Sequence, residues 1–124
     1  MPNDILIYAG SAIIILWGVA HIIPTKNIVN GFGNISADNK KIIVMESVAE
    51  GLTLIFLGAL PLLITLSGRA GETADLVYLA CAGMLLVMAA LTLFTGARTP
   101  TIWYKICPAV KTAVAVLFIL GAVV

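Results

Sequence analysis

Charge is scarce in this chain. Asp, Glu, Lys and Arg make up 10% of its 124 residues, against roughly a quarter in soluble domains. A soluble fold needs a polar shell, so the deficit excludes that class. Period-two alternation is also missing from the apolar segments, which excludes a barrel wall and leaves helices as the spanning element. Histidine is reduced to one residue, His21. No Glu-x-x-His motif occurs, which argues against the usual di-iron carboxylate bundle. No Ser–His–Asp set can be drawn, so triad hydrolysis is not expected. Cys81 and Cys107 are the two cysteines. They form no Cys-x-x-Cys motif and are expected near opposite faces of the membrane, too far apart to bridge.

Apolar length is abundant. Residues 5–23, 42–66, 76–95 and 102–124 form four runs in a chain whose mean hydropathy is +1.12. Each reaches the roughly 20 residues that a helix needs to cross about 30 Å of hydrocarbon. The expected fold is an all-α integral membrane four-helix bundle, a single domain over residues 1–124. The first run is expected to be retained as a span, because Met1-Pro2-Asn3-Asp4 carries no positive charge and no small-residue cleavage site follows.

The basic residues set an expected orientation. Lys26, Lys40 and Lys41 lie in the first connection, and Arg98 and Lys105 lie in or beside the third; the second holds only Arg69. Positive residues favour the cytoplasmic side. Loops 24–41 and 96–101 are therefore expected in the cytoplasm and both termini on the extracytoplasmic side of the cell membrane. A net charge of +1 offers no footprint for nucleic acid; membrane lipid is the expected partner.

Local signals refine the elements. Pro24 ends the first helix. Ile28, Val29, Phe32 and Ile35 fall at helical spacing, which predicts a short interfacial segment, although Gly31 and Gly33 oppose helix. Ser36 is the expected N-cap of the second span, with Asp38 in its first turn. Ser47, Gly51 and Gly58 form a small-residue stripe suited to close helix approach. The third span is nearly all apolar and is expected to face lipid or a neighbouring subunit.

The charges that remain within the spans carry the functional argument. With a rise of about 1.5 Å per residue, Glu46 lies roughly 7 Å and Glu50 roughly 13 Å beyond Lys41. Lys111 lies roughly 12 Å beyond Trp103, level with Glu50. His21 and Trp17, four apart on one face, complete the set. An unpaired charge at mid-span costs about 2.5–3.5 kcal/mol even on the lenient insertion scale. At least one acid must therefore be protonated, paired or wet, and Glu50 is expected to pair with Lys111. All strongly polar groups fall in the half of the bundle that carries the first and third loops.

Two readings follow. In the functional one, Glu46, Glu50 and His21 perform acid/base chemistry on a small lipophilic molecule, and Trp17, Tyr104, Lys105, Lys111 and Arg98 bind it. In the structural one, Glu50–Lys111 is a registry pair, Glu46 snorkels toward Lys41 or Lys105, and His21 is a hydrogen-bonded anchor. Trp103 and Tyr104 are then belt residues, and Arg98, Lys40 and Lys41 are topology charges. The alternatives to a binding protein or enzyme are a non-catalytic accessory subunit of a larger membrane complex and a proton-coupled small transporter with Glu50 as carrier. A homo-oligomer is compatible with each. No metal is assigned. The cofactor is left open between none, a haem on His21 and a non-haem ion on Glu46, Glu50 and His21. The layout resembles the membrane glutathione-transferase family in its four spans and long inner loop. That family's Arg-x-x-x-Asn-x-x-Glu pattern is not reproduced, since Ile43 and Ser47 stand in its first two places when Glu50 takes the third.

Overall fold

A computed structural model describes residues 2–124. Five α-helices follow in order: α1 (Pro2–Ile22), α2 (Thr25–Asn30), α3 (Ala37–Leu66), α4 (Glu72–Phe94) and α5 (Ile102–Val123), with a 3₁₀ turn at Gly96–Arg98 before α5. Four of them, all but α2, are long and apolar enough to cross a membrane.

The boundaries follow from local chemistry. Pro24 cannot continue the α1 ladder, and Thr25 Oγ1 closes the turn by donating to the Ile22 carbonyl at 2.7 Å. α3 begins five residues before its apolar run because Ser36 Oγ accepts from Asn39 N–H at 3.1 Å, satisfying an orphan donor of the first turn. The short interfacial helix forms as α2, with Val29 turned inward and buried. It stops before Gly31, where helix propensity falls. Gly68 and Gly71 adopt positive φ, 74° and 96°, in the tight α3–α4 hairpin; a side chain at either position would be strained.

The long helices run antiparallel in a ring, with α1 packed between α3 and α5 and α4 packed on α5. The closing contact, α3 on α4, is much the thinnest. The chain ends meet at the hairpin end, where Gly121 lies against Ile7 and the Asn3 carbonyl. The opposite end, here the loop end, holds α2 and the α4–α5 connection. Ile7, Ile14, Leu54, Leu85, Val114 and Phe118 fill the centre, each 0–1% exposed.

The small-residue stripe of α3 packs on α1. A Cβ at Gly58 would meet Ile14 and Ile15 side chains at 2.7 Å, and one at Gly18 would meet the Gly51 carbonyl at 2.7 Å. α4 buries one face, with Tyr78, Cys81, Leu85, Met88 and Thr92, and turns Leu76, Val87 and Leu91 outward. The hairpin half is free of buried charge but does contain a buried polar contact, with Thr65 Oγ1 and Tyr78 Oη 2.6 Å apart.

Candidate functional site

Lys111 organises the polar interior. It stands on α5 and is fully buried, at 0% exposure. Its ammonium donates to Glu50 Oε1 on α3 at 2.6 Å and to Thr92 Oγ1 on α4 at 2.9 Å. The Thr92 hydroxyl in turn donates to the Met88 carbonyl at 2.9 Å. Lys111 thus bridges α3 and α4, the neighbours that touch each other least. A buried ammonium without such partners would be strongly unfavourable. The expected Glu50–Lys111 pair is present. Thr92 was not singled out, because an isolated threonine in an apolar run usually satisfies itself on the carbonyl four residues back.

The second oxygen of Glu50 faces α1. His21 Nε2 lies 3.4 Å from Glu50 Oε2, with the imidazole 11% exposed and the carboxylate side chain 33% exposed. The glycine seam makes this approach possible. Gly18 is one turn before His21, and Gly51 follows Glu50 directly. A Cβ at Gly51 would lie 2.8 Å from the Gly18 carbonyl. Removing both side chains lets the α1 and α3 backbones close together just where imidazole and carboxylate must meet. The other ring nitrogen, His21 Nδ1, is buried and has no hydrogen-bond partner.

Beside this cluster, at the loop end, is a cavity of about 900 Å³, within the roughly 300–1,000 Å³ of small-molecule sites. Trp17, His21 and Tyr104 are its more buried walls. Ile23, Phe32 and Trp103 line it as well and are 76%, 57% and 65% exposed. Asn27, Thr99 and Thr101 add polar groups from the connections. Trp17 is fixed by donating its indole N–H to Cys107 Sγ at 3.3 Å. The Tyr104 ring lies 6.4 Å from the His21 ring, tilted by 44°. Pro108, one turn further along α5, has no N–H to offer the Tyr104 carbonyl. Cys81 and Cys107 are both free and buried.

The structure therefore joins some of the expected site residues and separates others. His21, Glu50 and Lys111 form one chain of contacts; His21, Trp17 and Tyr104 line one cavity. Glu46 is exposed, forms no ion pair among the described residues and does not line the cavity. Lys105 is exposed and donates to the Ala97 carbonyl at 3.4 Å. Arg98 is exposed and stacks its guanidinium 5.6 Å from the centroid of Phe94. Among the described residues, no three His, Cys, Asp or Glu side chains are grouped to hold a metal ion. The loop contribution to the cavity from Asn27, Phe32 and Thr99 was not foreseen, because nothing in their local pattern says which helix the connection folds against.

The fold and its polar interior define an all-helical protein of the multi-pass class, with four candidate membrane-spanning helices and a buried lysine at their centre. No protein-family model, curated protein or solved structure matches the chain.

Proposed function

We propose that this is a multi-pass protein of the cell membrane that binds a small lipophilic molecule in the loop-end cavity, with His21 as the proton-handling group. The cavity carries this reading. Ile23, Phe32 and Trp103 are apolar and well exposed on its wall, which gives a ligand dissolved in lipid an apolar way in. Its wall includes the imidazole of His21, which touches a charge pair that does not itself line the cavity.

The chemistry follows from the contacts. Glu50 accepts from Lys111 through one oxygen and faces His21 through the other. The ammonium compensates the carboxylate, and the carboxylate orients the imidazole. His21 can then exchange a proton with a bound molecule, and Glu50 acts through His21 rather than on the ligand. Proton abstraction or isomerisation suits such a set better than triad hydrolysis, for which no Ser–His–Asp arrangement is seen among the described residues.

The loop end faces the cytoplasm in this proposal. Lys26, Lys40, Lys41, Arg98 and Lys105 cluster there, against Arg69 at the hairpin end. Single cysteines at Asn34 and Ser67, in a chain with Cys81 and Cys107 replaced by Ala, would report it: a membrane-impermeant maleimide added to intact cells should label position 67 and spare position 34.

The deciding experiment uses a favourable accident of composition. The chain has two tryptophans, and both line the cavity. Purified protein should release a small lipophile to mass spectrometry, and adding that molecule back should change the tryptophan emission saturably. Protein that carries nothing and shows no saturable response would remove the binding reading and favour an accessory subunit.

A further inference from the structure

The cavity changes character along the bundle. Toward the hairpin end it reaches Trp17 and Ala20, five and two residues before the end of α1, or about 8 and 3 Å along the helix. The Trp17 indole already donates to Cys107 Sγ, so it has no donor left for an occupant. At the loop end the connections supply Asn27, Thr99 and Thr101 as a polar rim. No Asp, Glu, Lys or Arg lines the space.

Cations stand just outside that rim. Lys26 precedes Asn27, Arg98 precedes Thr99, and Lys105 follows Tyr104, each next in the chain to a lining residue. All three are exposed, and none forms an ion pair among the described residues. Asp38 and Glu46 are exposed at the same end on α3, yet neither is drawn to them. Lys105 Nζ reaches back to the Ala97 carbonyl at 3.4 Å, which sets it over the α4–α5 connection beside Arg98. Arg98 stacks on Phe94 through the face of its guanidinium and keeps its N–H edge for an acceptor. Charges that only fix orientation need no particular place around the cavity. Lys40 and Lys41 serve that purpose and flank no lining residue.

The two halves of this pattern fit one kind of molecule. An apolar body is accommodated at Trp17 and Ala20, and a negative head meets uncompensated cations at the rim. A positive head would meet its own sign there, and the one nearby carboxylate, Glu50, is balanced by Lys111 and does not line the cavity. The volume of about 900 Å³ suits a small molecule. Resting on the binding function proposed above, we infer that the ligand is a single-chain amphiphile with an anionic head. Its chain points toward Trp17 and Ala20, and its head lies at the rim against Lys26, Arg98 and Lys105.

Three probes share one chain and differ in head: decyl sulfate, decanol and decyltrimethylammonium. The full chain in nanodiscs of zwitterionic lipid is dialysed to equilibrium against each, with empty nanodiscs as blank. Decyl sulfate should bind at one per chain and at least about five-fold more tightly than decanol, as expected of a few exposed charge contacts together; decyltrimethylammonium should bind most weakly. Added salt should narrow the gap between sulfate and decanol and leave decanol unchanged. Joint replacement Lys26→Gln, Arg98→Gln and Lys105→Gln should bring decyl sulfate to the affinity of decanol; the salt arm stands if that variant does not insert. Ala20→Phe should weaken both probes alike. Decyl sulfate binding that persists in Ala20→Phe would overturn the inference by placing the anion on the surface rather than in the cavity. Equal affinity for decyl sulfate and decanol would overturn the anionic head while leaving the lipophile site intact. Failure of all three probes to exceed the blank would overturn this inference and the binding function together.

Discussion

Removing Glu50 and removing Lys111 should not be equivalent, and the difference tests the polar interior. Lys111 is fully buried, and its ammonium holds two acceptors at 2.6 and 2.9 Å. In Glu50→Gln the amide oxygen can still accept, but the negative charge is gone. The ammonium then faces Thr92 and helix walls in a low dielectric, a loss of about 3–5 kcal/mol for one broken half of a buried pair. Lys111→Met is milder. The thioether fills the stem's volume, and Glu50, whose side chain is 33% exposed, keeps a route to polar surroundings and His21 nearby; about 1–2 kcal/mol is expected. In the double variant neither charge is stranded. It should be more stable than Glu50→Gln alone by at least about 2 kcal/mol; added to the cost of Lys111→Met, that is a coupling of about 3 kcal/mol or more, at the upper end for residues in direct contact. The assay is unfolding by a graded denaturing detergent, followed by tryptophan emission, across the wild type, both single variants and the double. Effects that add to within about 0.5 kcal/mol would show that the two charges do not act as a pair.

The other contacts give sharper local expectations. Thr92→Val leaves Lys111 one acceptor short and should cost about 1–3 kcal/mol, while Thr92→Ser, which keeps the hydroxyl, should stay near wild type in the same assay. Gly51→Ala would press a methyl onto Ile22 and the Gly18 carbonyl; it should cost about 1–3 kcal/mol by overpacking. Gly83 is the internal control: a Cβ there meets nothing within 4 Å, so Gly83→Ala should be neutral or stabilise by up to about 1 kcal/mol through helix propensity. If Gly51→Ala and Gly83→Ala behave alike, the close α1–α3 seam is wrong. Tyr78→Phe and Thr65→Val should each cost about 1 kcal/mol, and together little more than one alone, because they break the same 2.6 Å contact.

The helices were legible because apolar length is a strong signal, and Ser36 and Pro24 mark boundaries that local hydrogen bonding then confirms. Glu50–Lys111 was legible for a different reason. Two costly charges at matching depth have few ways to be tolerated, so counting residues sufficed to pair them. Gly51 and Gly58 were readable as a contact stripe, but their counterpart Gly18 was not, since one glycine in a helix does not name its partner. Thr92 and the cavity were out of reach. Thr92 matters only because α5 carries Lys111 between α3 and α4, and the cavity exists only because α2 and the α4–α5 connection fold over one end of the bundle. Both are facts of helix arrangement, which periodicity does not encode.

That arrangement also explains how the charges can be kept. α3 has 30 residues, about 45 Å at 1.5 Å each, well beyond a hydrocarbon layer of about 30 Å. Measured from Leu66 at the hairpin end, Glu50 lies 16 residues along, about 24 Å. Across the proposed layer this puts it about 6 Å inside the loop-end boundary, not at the centre. Lys111 lies 12 residues from Val123, about 18 Å, closer to the middle, and its four-carbon stem closes the difference by reaching toward the loop end. On that placement the deeper backbone would carry the longer side chain, and the two charges would meet near the boundary, where the cost of burial falls. His21, one residue before the end of α1, is at that boundary too. In the proposed function, a proton reaching the cavity from the loop end would pass Glu50 and His21, with Lys111 behind them as the charge that Glu50 pairs with.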